Sequence, residues 1–136
     1  MYNNKINVSD RIVSVLTYIT GGFVGVIWLI YCSLKRKPMT KFILFNIYQS
    51  IFLSLFLYIA NLLFNMVYHL LAAIPFISRI INGLYFALYS PIYLGWSIVG
   101  LILLLMYIYL MLFSLLGKTA YIPWVSNIIL YQLKRF

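Results

Sequence analysis

Few side chains in this sequence are of the kinds that do chemistry, and their spacing excludes most of it. There is one acid, Asp10, one histidine, His69, and one cysteine, Cys32. Acid–base catalysis, metal binding and nucleophilic attack each need two or more such groups brought together, and no such set can be drawn from these three. Cys32 lies in an apolar stretch and can form neither an internal disulfide nor a thiolate cluster. The Gly21–Gly22 pair is likewise inside an apolar run and does not open a phosphate loop. Asp10, after Ser9 at the head of that run, reads as a helix cap, and His69 as an interfacial residue at the end of another. The chain therefore reads as neither an enzyme nor a cofactor carrier.

What remains is a set of amides and hydroxyls in unexpected places. FILFNIYQS, residues 42 to 50, heads a long apolar run yet carries Asn46, Gln49 and Ser50. A buried amide without a partner costs roughly 1–3 kcal/mol, so these groups imply partners. Wound at 100° per residue, Asn46, Gln49, Ser50, Ser54, Asn61 and Asn65 share an arc of about 160°, opposite a face of Ile, Leu and Phe. That stripe faces protein or a wet cavity and the other face meets lipid. It serves either as hydrogen-bonding glue between helices or as the lining of a path.

The elements that position the stripe follow from composition. Sixty-five percent of residues are hydrophobic, 8% are charged and the mean hydropathy is +1.04, which describes an all-α membrane protein. Ten Lys and Arg against one acid point to anionic headgroups and topology signals, with no nucleic-acid partner. Apolar segments at 11 to 32, 42 to 67, 70 to 90 and 93 to 116 predict a small polytopic bundle of four membrane segments in a single domain over 1–136. The third carries Arg79 and reads either as a span or as an interfacial helix. Three spans place the basic residues of the 33-to-41 loop and of the tail on one side, whereas four spans leave the charge without an orientation. Residues 124 to 136 predict an amphipathic helix on the membrane surface, with Val125, Ile128, Ile129, Leu133 and Phe136 on its apolar face.

Two further faces are readable. Ser14, Thr17, Tyr18, Gly21, Gly25, Trp28 and Cys32 cluster along the first segment, where Gly21 and Gly25 form a GxxxG pair suited to close helix packing. Ser78, Arg79 and Asn82 cluster on the third, and are the expected partners of the stripe.

Two stretches also resemble a known family. FILFNIYQSIFL, with Phe42, Phe45, Asn46 and Gln49, resembles the motif that opens the second span in the twenty-kilodalton subunit family of the chloroplast inner-envelope protein translocon. GKTAYIPWVSNIILYQ, with Gly117, Lys118, Ile122, Pro123, Ser126 and Gln132, is similar to that family's closing motif. With Arg11 and Tyr18 as the start of the first span, the resemblance covers nearly the whole chain. Leu44 stands where the family carries a basic residue, Thr20 and Gly21 where a proline often follows the tyrosine, and Asn127 where an acid is common.

The resemblance implies a four-helix membrane protein that helps move preproteins across the plastid inner envelope, or a relative in a bacterial plasma membrane. Its partners would be the lipid bilayer, other membrane subunits or further copies of itself, and preprotein chains. The alternative is a small membrane scaffold or assembly protein without transport of its own. A solute carrier is disfavoured by the lack of a repeated half and of a midplane acid.

Overall fold

The computed structural model describes residues 6–92 and 94–134. Among them there is no strand, and the helices are α1 (Val8–Ile19), α2 (Phe23–Leu34), α3 (Lys41–Ala72), α4 (Pro75–Tyr89), α5 (Ile98–Leu115) and α6 (Val125–Lys134). Two compact units are present. The first comprises Met1–Leu55 and Tyr107–Phe136, and the second Phe56–Met106.

In the first unit, residues 11 to 32 do not form the single span that hydropathy suggests. The N–H groups of Gly21 and Gly22 donate back to the carbonyls of Tyr18 (3.3 Å) and Thr17 (2.8 Å), closing α1. Gly21 and Gly22 sit at φ 62° and 100°, which residues with a Cβ rarely adopt. The chain then doubles back. A Cβ built on Gly25 would lie 2.7 Å from Cγ2 of Thr17, whereas eight residues of straight helix put about 12 Å between such positions. At the other end the Thr40 hydroxyl donates to Oδ2 of Asp10 at 3.2 Å, so the end of the hairpin returns to its beginning. Asp10 is therefore not the cap of α1, whose N-cap is Asn7, but a first-turn residue that ties α1 to the head of α3.

The consequence is a correction to topology. α1 and α2 form a helical hairpin with arms of 12 residues, about 18 Å each and shorter than the roughly 30 Å hydrocarbon core. Gly21 and Gly25 do not line one face of one helix: Gly21 lies in the turn, facing Ser54, while Gly25 lets α2 close on Thr17 and Ile47. Val13, Ile43 and Ile47, with Trp28 and Leu29 packed on them, fill the space among the hairpin and α3.

α2 ends as α1 does, with Lys37 N–H donating to Cys32 and Arg36 at φ 49° in the place a glycine usually takes. α3 starts where Thr40 accepts the Ile43 N–H on its hydroxyl. α3 contains the expected segment 42 to 67 and α5 lies within the expected segment 93 to 116, and they are the two helices among the described residues long and apolar enough to cross a membrane. α5 closes at Gly117, φ 71°, and brings Leu115 to Arg11, whose Nη1 lies 3.5 Å from the Leu115 carbonyl. α6 follows within the expected tail segment. Its Val125 and Ile129 are buried on Phe45, with Ile122 and Leu133 beside them. Ile128 is 46% exposed, and Phe136 lies outside the described residues.

In the second unit the segment 70 to 90 is divided. α3 continues to Ala72, a turn follows, and Pro75 starts α4 in the first-turn position where its missing N–H costs nothing. α4 has 15 residues, about 22 Å, and buries none of them. It packs on α3 through rings: Tyr85 stacks on Tyr89 at 4.8 Å and lies 4.4 Å from Tyr68 and 6.3 Å from Phe64.

Candidate functional site

The most ordered chemistry in the molecule is the polar junction inside the first unit. α1 lies along the amino-terminal half of α3, so that Ser14, Thr17 and Tyr18 meet Asn46, Gln49 and Ser50. The carboxyl-terminal end of α5 contributes Ser114, and the segment leading into α6 contributes Ala120 and Ser126. Of these nine side chains all but the apolar Ala120 are polar, and each is at most 2% exposed.

The hydrogen bonds close completely around the two amides. Asn46 donates both protons of Nδ2, to the Phe42 carbonyl at 3.0 Å and to Ser14 Oγ at 3.4 Å. Gln49 donates both of its own, to the Ala120 carbonyl at 3.2 Å and to Ser126 Oγ at 3.3 Å. The Tyr18 hydroxyl lies 2.9 Å from the carbonyl oxygens of both amides but has one proton to give. Ser114 Oγ supplies a second, at 3.3 Å from Asn46 Oδ1. Two hydroxyl protons thus serve two amide oxygens, with Tyr18 free to complete Gln49. Ser50 Oγ donates to the Thr17 carbonyl at 2.9 Å, the same oxygen that accepts the Gly22 N–H. Ser126 Oγ also accepts the Ile122 N–H at 2.8 Å.

Such a junction binds helices to one another. A fully satisfied buried network specifies a unique packing, because any slip leaves an amide unpaired in a low dielectric. Among the described residues no group of three His, Cys, Asp or Glu side chains is placed to hold a metal ion.

The stripe therefore splits. Asn46, Gln49 and Ser50 are in the junction, and Ser54 is half-buried opposite Gly21. Asn61 is exposed and Asn65 half-buried, and they pair with each other, Asn65 Nδ2 donating to the Asn61 carbonyl at 2.9 Å and to its Oδ1 at 3.0 Å. Asn61 also lines an open groove of about 530 Å³ with Tyr58, Phe64, Tyr89 and Leu103.

The partners expected for the amides are not the ones found. Ser78 donates to the Pro75 carbonyl of its own helix, and Arg79 is exposed. Asn82 does face α3, but there its Oδ1 accepts from the Tyr68 hydroxyl at 2.8 Å. The partners found come from the polar face of α1, which the sequence displays, from Ala120 and Ser126 around the start of α6, and from Ser114, which the sequence signals only as a lone serine in the apolar run LMLFSLLG.

The two stretches with a family resemblance meet here. Asn46 and Gln49 of the first stretch sit in the junction, where Gln49 reaches Ala120 and Ser126 of the second, and Phe45 packs on Val125 and Ile129. Phe42, Phe45, Gly117 and Lys118 border one cleft. Pro123 and Gln132 are exposed, Pro123 just before α6 and Gln132 along it. Comparison of the chain with family models, with curated proteins and with solved structures finds no match.

Proposed function

We propose that this chain is an integral membrane subunit of a protein translocon, in a plastid inner envelope or a bacterial plasma membrane, and that it acts there as a helix-packing component. The observation that carries the reading is the meeting of the two motif stretches, distant in sequence, at Gln49. An internal junction accounts for the Asn46 and Gln49 amides of the first motif and the Ser126 hydroxyl of the second.

In this reading all four apolar segments lie in the membrane but only α3 and α5 cross it, while the α1–α2 hairpin enters and returns on one side. Irregular backbone at that depth is tolerated where it is packed against protein, and the turn at Gly21–Gly22 is packed on Ile51 and Ser54. With the hairpin returning to one side, the charge pattern favours one orientation. Arg11, Lys35, Arg36, Lys37, Lys41, Lys118 and Lys134 all belong to the end of the first unit where α1 and α3 begin and α2 and α5 finish. By the positive-inside rule that end faces the cytoplasm or stroma.

A scaffold without transport activity is the second reading, favoured by the completeness of the junction, which leaves no amide proton for a passing chain. Photo-crosslinkers at Tyr58 and Asn61, in the open groove, separate the two. A translocon subunit yields adducts to an arrested preprotein, whereas a scaffold yields only lipid and neighbouring subunits, and that result would sink the transport reading.

A further inference from the structure

We propose that the cleft between the head of α3 and α6 is a binding site for one anionic glycerolipid, a reading that rests on the chain being in a membrane. The cleft is open, has a volume of about 500 Å³ and is bordered by Lys41, Lys118 and Lys134, with Phe42, Phe45 and Leu133 among its apolar walls. Three lysines drawn from three separate segments line one opening, and their positive charge favours a phosphate or sulfate headgroup there. α3 begins at Lys41, so the positive end of its dipole adds to the same field.

The apolar walls decide which anion fits. A free phosphate is small and strongly hydrated and gains nothing from phenyl and leucyl surface, whereas an acyl chain beneath an anionic headgroup covers it. The one acid near this end does not line the cleft: Asp10 accepts the Thr40 hydroxyl instead. The neighbouring basic cluster is also separate, since Lys37 donates to the Tyr31 hydroxyl at 3.3 Å and lies 5.1 Å above its ring.

The test is native mass spectrometry of the full chain released from detergent micelles, with phosphatidylglycerol, phosphatidylcholine and inorganic phosphate as probes. The site predicts retention of one phosphatidylglycerol with a preference of about tenfold or more over phosphatidylcholine. The preference is lost in K41Q/K118Q/K134Q and kept in K35Q/R36Q/K37Q, which removes the same charge outside the cleft. Inorganic phosphate in large excess leaves the lipid in place. Equal retention of both lipids, equal loss in both variants, or displacement by phosphate would each overturn the proposal, the last by revealing a small-anion site. Should the cleft variant not fold, the three probes on the unaltered protein decide the matter. Carbonate extraction of the source membranes is scored separately, and release there contradicts the membrane reading while leaving lipid selectivity to its own measurement.

Discussion

α3 carries one polar stripe but lives in two environments. Its amino-terminal half buries Asn46, Gln49 and Ser50 completely and gives each amide proton a partner. Its carboxyl-terminal half leaves Asn61 exposed and meets α4 through Phe64, Tyr68, Tyr85 and Tyr89, with an inter-helix hydrogen bond from Tyr68 to Asn82. The same residue types at the same helical angle thus do different work. A buried, saturated network is intolerant of change, because removing one member strands the others, whereas an exposed seam of rings loses only its own contact. The first unit is built to hold one arrangement. The second has surface to offer.

The sharpest way to break this contrast is to replace one amide in each half. Gln49→Leu leaves the Ala120 carbonyl without its donor and takes one partner each from Tyr18 and Ser126, and should cost about 2–3 kcal/mol. Asn61→Leu should change stability by no more than about 0.5 kcal/mol. Equilibrium unfolding in mixed SDS–detergent micelles measures both, and equal costs would erase the distinction between the halves.

Glycines offer a second pairing. Gly22 has φ 100° and would place a Cβ 3.2 Å from the Ile51 backbone, so Gly22→Ala should cost about 1–3 kcal/mol. Gly83, inside α4, would meet nothing within 4 Å, so Gly83→Ala should stabilise by about 0.5–1 kcal/mol through helix propensity alone. The two thermal shifts should have opposite signs.

Two tyrosine hydroxyls give a third pairing. Tyr18→Phe removes a buried donor and should cost about 1–2 kcal/mol, while Tyr68→Phe, at a half-buried site, should cost about 0.5 kcal/mol. A double-mutant cycle of Tyr18→Phe with Gln49→Leu should show strong coupling, and the corresponding cycle of Tyr68→Phe with Gln49→Leu none.

The sequence made parts of this legible. Hydropathy located α3 and α5, because long uncharged runs have no other stable form in lipid. Winding the second segment at 100° per residue identified the junction residues Asn46, Gln49 and Ser50, and the first segment displayed Ser14, Thr17 and Tyr18 on one face. The break between them was not visible to hydropathy, since Gly21 and Gly22 are apolar enough to continue a span and the reversal lies in their backbone angles. Their adjacency, after Thr20, was the available signal. Periodicity also could not say which part of the stripe would be buried: Asn61 and Asn46 share a face, and only the placement of α1, α5 and α6 separates them. The pairing of Asn82 with Tyr68 shows the same limit, as an amide on the expected face found a nearer partner.

α1 and α2 form a hairpin that returns to its starting side, closed over the polar residues of α3. Single cysteines at Ser9, Lys37 and Lys118 in a Cys32→Ser background, probed with a membrane-impermeant maleimide in sealed oriented vesicles, test it directly. The fold predicts that all three label from the same side. Labelling of Ser9 and Lys37 from opposite sides would mean that residues 11 to 32 cross the membrane once, and the hairpin would be wrong.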